Sequence, residues 1–184
     1  VFTFEYNKFN EFKKLIDANP EIGIVKMEVS RNFKPEKNFL NKIRDITRKK
    51  GILLIFDECT SGFRQAFGGL HKIYGVEPDM AIFGKALGNG YAINAVLGKE
   101  KIMRFADRTF ISSTFWTERI GPTAALKTLE EMERVKSWKI ITKKGYQIRS
   151  KWKDLAKKYN LKIEFLGIPA ISSFIIKSRN FYKY

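Results

Sequence analysis

A lysine and a carboxylate stand where a chain of this pattern would place its chemistry. Lys85 comes one residue after the apolar run Met80-Ala81-Ile82-Phe83 and is followed by Ala86-Leu87-Gly88-Asn89-Gly90. Asp57 and Glu58 directly follow a second apolar run, 52–56. An amine in a glycine-flanked loop can form a Schiff base with an aldehyde cofactor, because missing Cβ atoms let a bulky ring approach the backbone. The alternative is a surface lysine at a strand end, with Gly88 and Gly90 merely turning the chain. Spacing alone leaves both open. The acidic pair would equally suit a nucleoside triphosphatase, but that chemistry needs the phosphate loop G-x-x-x-x-G-K-[ST]. Here Ala86 follows Lys85, and Asp79 stands where the loop needs glycine.

The surrounding pattern predicts the elements that would position these groups. Asn7 is a candidate cap for a helix over 7–18, in which Phe9, Phe12, Leu15 and Ile16 recur at helical spacing. A largely apolar strand is expected over 22–29. Pro35 should open a second helix with Phe39, Leu40, Ile43 and Ile46 inward and Lys49-Lys50 at its carboxyl end, stopped by Gly51. The run 52–56 reads as a strand covered on both faces, and 80–83 as another. Strands alternating with helices predict an α/β fold with a mainly parallel sheet, in which ligands bind beyond the carboxyl ends of the strands. That rule selects Asp57-Glu58 and Gly84-Lys85. From Glu118 the pattern changes to helices over 118–133 and 138–159, then strand-like runs over 161–165 and 171–177. The predicted division is a large domain over 1–133 and the beginning of a smaller α+β domain over 134–184.

Composition narrows the function classes. Among 184 residues, 44% are hydrophobic and sixteen are Phe, which argues against disorder. No apolar run is long enough to cross a membrane as a helix, and no basic stretch leads into an apolar one as in a secretory signal. The net charge of +16 invites a nucleic-acid reading. The charge is mostly Lys spread along presumptive helices, however, as in Lys143-Lys144 and Lys157-Lys158, so solvated helix faces are expected and nucleic acid is not. Neither zinc-finger spacing nor a metal site is expected. The single cysteine, Cys59, excludes an internal disulfide, and a cytoplasmic location is expected. Val1 at the start, and Asn180 to Tyr184 directly after a strand-like run, suggest a piece of a longer protein.

Two motifs together resemble a known family. Ile52-Leu53-Leu54-Ile55-Phe56-Asp57-Glu58-Cys59-Thr60-Ser61-Gly62-Phe63-Arg64 is similar to the pattern "LLIFDEVxTGFR" of class III aminotransferases, enzymes dependent on pyridoxal 5'-phosphate (PLP). Gly75-Val76-Glu77-Pro78-Asp79 and Phe83-Gly84-Lys85-Ala86-Leu87-Gly88-Asn89-Gly90 resemble "GVxPDxxxxGKxxGGG" of that family, at the family's separation. Phe63-Arg64 and Gly68-Gly69 look most like the glutamate-1-semialdehyde 2,1-aminomutase branch.

The resemblance implies PLP-transferase fold type I and amino-group transfer, between molecules or within one, on a small amino or keto substrate. It implies Lys85 as the cofactor-binding lysine and the base at the substrate Cα. Asp57 would sit against the pyridine nitrogen and keep it protonated. Cys59 would pack on the ring face, where the family usually has Val. Thr114, within Ser112-Ser113-Thr114-Phe115-Trp116-Thr117, would reach the cofactor phosphate of a neighbouring subunit, giving a homodimer with active sites at the interface. Glu28 would support the site from behind, though Val29 replaces the family's Pro. Glu58 would orient neighbours, and Thr60 stands beside the expected cofactor hydroxyl. His71 reads as structural, and Tyr91 and Trp116 as pocket or core. A glycine-rich phosphate-binding turn and a stacking aromatic residue would precede this segment, and the rest of the small domain would follow it, so the segment alone is expected to be inactive. The rival is a non-catalytic relative that keeps the fold as a binding or scaffold module. Retention of both Asp57 and Lys85 argues against that.

Overall fold

The computed structural model describes residues 1–115 and 117–177 of the chain; Trp116 and the segment 178–184, both singled out above, lie outside the described residues. Four strands form the main sheet: β1 (Ile24–Glu28), β2 (Leu53–Asp57), β3 (Met80–Phe83) and β4 (Ala95–Gly98), in the order β1-β2-β3-β4. The first three are parallel and β4 is antiparallel to β3, so the sheet is mainly parallel, as the alternation of strands and helices predicts. β4 has no counterpart in the sequence reading. Among the described residues its short run Ala95-Val96-Leu97-Gly98 lies on an edge, paired with β3 alone.

Helices α1 (Phe9–Ala18) and α2 (Phe39–Lys49) cover one face of this sheet. Phe12 and Ile16 of α1 and Phe39, Leu40 and Ile43 of α2 meet Val25, Met27, Leu54 and Phe56 in one buried cluster. These are alternate positions of the strands and one stripe of each helix, the two periodicities that face a core. Gly51 ends the α2 turn with φ +70, a left-handed conformation that favours glycine. The opposite face is partly open: Ile24 is 58% exposed and Val96 45%. Leu53 and Ile55 lie on that face and are only half-buried, so β2 is buried on the face of Leu54 and Phe56 and not on both faces as expected.

The two helix starts differ from expectation for one shared reason. Asn7 does not cap α1. Its amide Nδ2 donates to the Lys34 carbonyl at 2.9 Å, and its Oδ1 accepts the Glu36 N–H at 3.0 Å. That bridge holds the residues after Pro35 in a loop, and α2 begins only at Phe39, after Asn38 in a left-handed conformation.

After β4 come α4 (Glu100–Met103), a 3-10 turn at Arg104–Arg108, α5 (Ile120–Val135) and α6 (Ser137–Lys158). The short α3 (His71–Tyr74) lies earlier, between β2 and β3. Strands β5 (Ile163–Leu166) and β6 (Ser173–Ile176) form a separate antiparallel pair. Arg149 on α6 clamps their connection, donating to the carbonyls of Leu166 (2.7 Å) and Gly167 (2.9 Å) and to the Ser172 hydroxyl (2.9 Å). Among the described residues no helix is long and apolar enough to cross a membrane.

Candidate active site

The acidic pair at the end of β2 splits. Glu58 turns inward and is fully buried. Its carboxylate accepts the Ser61 hydroxyl, the His71 backbone N–H (2.9 Å) and a contact from His71 Nδ1 (2.9 Å). Its own N–H donates to the Ile82 carbonyl at 2.8 Å. Glu58 and His71 therefore pin the loop between β2 and α3 to the core, the orienting and structural parts that the sequence suggested.

Asp57 turns to the open face. Its Oδ1 accepts the Cys59 N–H at 3.1 Å, and its Oδ2 lies 2.9 Å from the Lys26 ammonium. Partial burial pushes this carboxyl up, but the Lys26 ammonium and the Cys59 N–H outweigh it, and Asp57 titrates below the usual aspartate value. It is a carboxylate near neutrality. Burial, and then the Asp57 charge, push the Cys59 thiol up, so it stays protonated.

Lys85 lies beyond the carboxyl end of β3, the strand paired with β2 through Asp57 and Ile82. Its side chain crosses that boundary: Nζ donates to Thr60 Oγ1 at 2.9 Å. The backbone there has φ +45, a region that non-glycine residues seldom occupy and that is held only where the surroundings enforce it. Gly84 makes room beside it. A Cβ at Gly84 would come within 2.3 Å of Asn94 Oδ1 and 3.2 Å of Cys59 Sγ. Asp57, Cys59, Thr60 and Lys85 thus converge at two adjacent strand ends.

Thr114 does not join them. It is exposed, on the segment between the Arg104–Arg108 turn and α5, and among the described residues no hydrogen bond ties it to Asp57 or Lys85. Tyr91 is 57% exposed and lines a cavity of about 1120 Å³ with Phe63, Arg64, Lys85, Arg119 and Glu131. Asp57, Cys59 and Thr60 are not part of its lining, so the cavity adjoins the lysine loop without enclosing the cluster. Glu28 sits beside Asp57 in the β1–β2 register and pairs with Arg31 at 3.1 Å. Lys26 and Asn94 were missed. The available signal for Lys26 was a lone lysine inside an apolar strand; Asn94 carried none.

Asp79 serves structure. Buried just before β3, it accepts from both terminal nitrogens of Arg44 (2.6 and 3.2 Å), from Lys99 Nζ (2.6 Å) and from the Leu54 N–H (2.9 Å). One side chain so joins α2, β2, β3 and the residue that follows β4.

The Aminotransferase class-III family model matches residues 32–171, most of the chain, including both strand ends. The chain belongs to the class-III aminotransferase family. It is 35% identical to the 3-aminobutyryl-CoA aminotransferase of Cloacimonas acidaminovorans over 177 residues, covering 92% of this chain and 43% of that protein. It is 37% identical to the glutamate-1-semialdehyde 2,1-aminomutase of Nitrosopumilus maritimus over 140 residues, covering 72% of this chain and 33% of that one. The fold superposes on an omega-transaminase from Sphaerobacter thermophilus with a TM-score of 0.84 at 26% identity, over 94% of this chain and 41% of that chain. With the PLP internal aldimine form of the Sphingopyxis sp. MTA144 FumI protein the TM-score is 0.92 at 23% identity, over 98% of this chain and 45% of the other, which speaks for the fold alone. The chain spans less than half the length of these relatives.

Proposed function

We propose that this class-III chain is part of a PLP-dependent enzyme that transfers an amino group on a small amino or keto substrate, as a transaminase or an aminomutase. One observation carries the reading: an ionised carboxylate, Asp57, and an exposed amine, Lys85, stand at the ends of two paired strands, Asp57 holding the Cys59 N–H and Lys85 the Thr60 hydroxyl on the loop they share. The residues fit the cofactor: an amine for its aldehyde, a carboxylate for its ring nitrogen, and a small uncharged thiol for its ring face. When bound, PLP supplies an electron-withdrawing ring that makes the substrate Cα proton removable. Lys85 Nζ would hold the cofactor and, once displaced from it by substrate, would take the proton from Cα and deliver it to the cofactor carbon, as amino transfer requires. Thr60 Oγ1 orients Nζ for this transfer. Asp57 keeps the ring nitrogen protonated, since an opposite charge nearby favours the charged form.

Thr114 belongs to this reading as a phosphate contact donated to a neighbouring subunit of a homodimer. Its surroundings support that placement: Phe110 is 96% exposed and Phe115 65%, an apolar segment suited to burial against a second copy. The division into a large domain over 1–133 and a small domain from 134 fits the left-handed break at Lys136 between α5 and α6. A cytoplasmic location suits the free thiol of Cys59.

The test uses the full-length protein with PLP. Borohydride reduction followed by peptide mass spectrometry should place a pyridoxyl group on Lys85, and Lys85→Ala should lose both that adduct and the visible absorption band of bound cofactor. A pyridoxyl group on another lysine would overturn the assignment.

A further inference from the structure

We propose that Lys26 is a positioning residue of the cofactor site: its ammonium holds the outer oxygen of Asp57 and competes with the ring nitrogen of PLP for that carboxylate. The proposal rests on the reading above, in which Asp57 meets the ring nitrogen.

Lys26 lies in the middle of β1, in register with Ile55, and it projects from the same open face as Ile24, Leu53 and Asp57. Its strand neighbours Val25 and Met27 turn to the core. A cation in the middle of an apolar strand needs a specific partner, and here that partner is Asp57 Oδ2 at 2.9 Å. The charged groups around this carboxylate have separate tasks. Glu28, beside it in register, is engaged by Arg31, and Cys59 N–H takes Oδ1. Both oxygens thus have a partner, and a ring N–H approaching the outer one, Oδ2, would share it with Lys26.

Two consequences follow from charge alone. Without cofactor, the Lys26 ammonium lowers the Asp57 titration and fixes its rotamer. With cofactor, a second cation arriving at Oδ2 meets a like charge, which disfavours protonation of the ring nitrogen. Lys26 is 55% exposed at its side chain and can turn to water, so the opposition is a modulation and not a block. An exposed ion pair is worth at most about 1 kcal/mol, so its removal should tighten PLP binding by up to about fivefold.

The experiment compares wild type, Lys26→Met, Lys26→Gln and Lys26→Arg in the full-length protein. PLP affinity is measured by equilibrium dialysis, ring protonation by the ¹⁵N shift of ring-labelled PLP, and the Asp57 carboxyl by ¹³C titration without cofactor. In Lys26→Met and Lys26→Gln the dissociation constant should fall by up to about fivefold, the ring nitrogen should keep its proton to higher pH, and the Asp57 midpoint should rise. Lys26→Arg, which retains the charge, should resemble wild type. An unmoved Asp57 midpoint, or PLP affinity that is unchanged or weaker in a folded Lys26→Met protein, overturns the role of Lys26. Asp57→Asn separates the underlying reading: if the ring-nitrogen titration is the same without the carboxylate, Asp57 does not meet the ring, and the competition falls with it.

Discussion

Lys85 Nζ reaches across from the end of β3 and donates to Thr60 Oγ1 at 2.9 Å, beyond the end of β2. A flexible lysine is thereby held by a hydroxyl on the neighbouring loop, with its backbone in a left-handed conformation at φ +45. The two restraints act together, one on each end of the side chain, and they aim the amine without neutralising it.

Removing the hydroxyl should loosen the amine. Thr60→Val in the full-length protein should leave PLP attached to Lys85 and slow the proton step. A hydrogen bond has a net worth of about 0.5–1.5 kcal/mol, so the loss should be at most about tenfold in rate. Single-turnover absorbance of bound PLP with an amino donor measures it. An unchanged rate would show that Thr60 has no part in aiming Nζ.

Asp79 should prove a stability residue. Asp79→Asn leaves Arg44 buried without its counter-charge, at a cost of about 3–5 kcal/mol, read from chemical denaturation. The pH dependence follows from the sign of the shift. Its carboxyl lies well below the usual aspartate value because Arg44, the Leu54 N–H and Lys99 outweigh burial. A depressed folded value means that the contribution is complete above the unfolded value near 3.8 and is lost as pH falls through the folded one. Wild type should therefore lose stability below that unfolded value, and Asp79→Asn should lack this component.

The Cys59 thiol should be slow to react. Its titration is shifted upward, so the thiolate fraction near neutrality is below that of an ordinary cysteine. Iodoacetamide should alkylate it more slowly than a free thiol. Asp57→Asn removes part of the upward pressure and should speed the reaction, whereas slower alkylation in that variant would contradict the electrostatic coupling.

How much of this was readable in the sequence depends on the kind of signal. The apolar runs ending at Phe56 and Phe83 set two strands, each with one buried face, and with them the places of Asp57 and Lys85, because strand ends in a parallel sheet are where ligands bind. Glu58 and His71 kept the supporting parts expected of them. Lys26 stood out as a lone lysine in an apolar strand, but its pairing with Asp57 runs across strands, which a single strand's pattern does not encode. Asn7 misled for a related reason: a good capping residue found a better partner at positions 34 and 36, distant in sequence. Thr114 lies outside the cluster, on an exposed segment that the motif alone did not separate from the strand ends.

The tight packing beside Lys85 gives the sharpest prediction. Gly84 lies against Asn94 and Cys59, and a methyl group there would meet Asn94 Oδ1 at 2.3 Å, well inside contact distance. Gly84→Ala must therefore displace Asn94 or shift the backbone that carries Lys85. Overpacking of this kind typically costs about 1–3 kcal/mol, and here part of that cost should appear as misplacement of the amine. PLP binding to the full-length variant should weaken more than global stability falls. Gly84 is extended at φ −166, which alanine tolerates, so the obstacle is the neighbour and not the dihedral angle. Asn94→Ala should then rescue Gly84→Ala, restoring PLP affinity in the double variant. If the double variant binds PLP no better than Gly84→Ala alone, Asn94 is not the obstructing group, and the contact that sets the lysine loop lies on the Cys59 side.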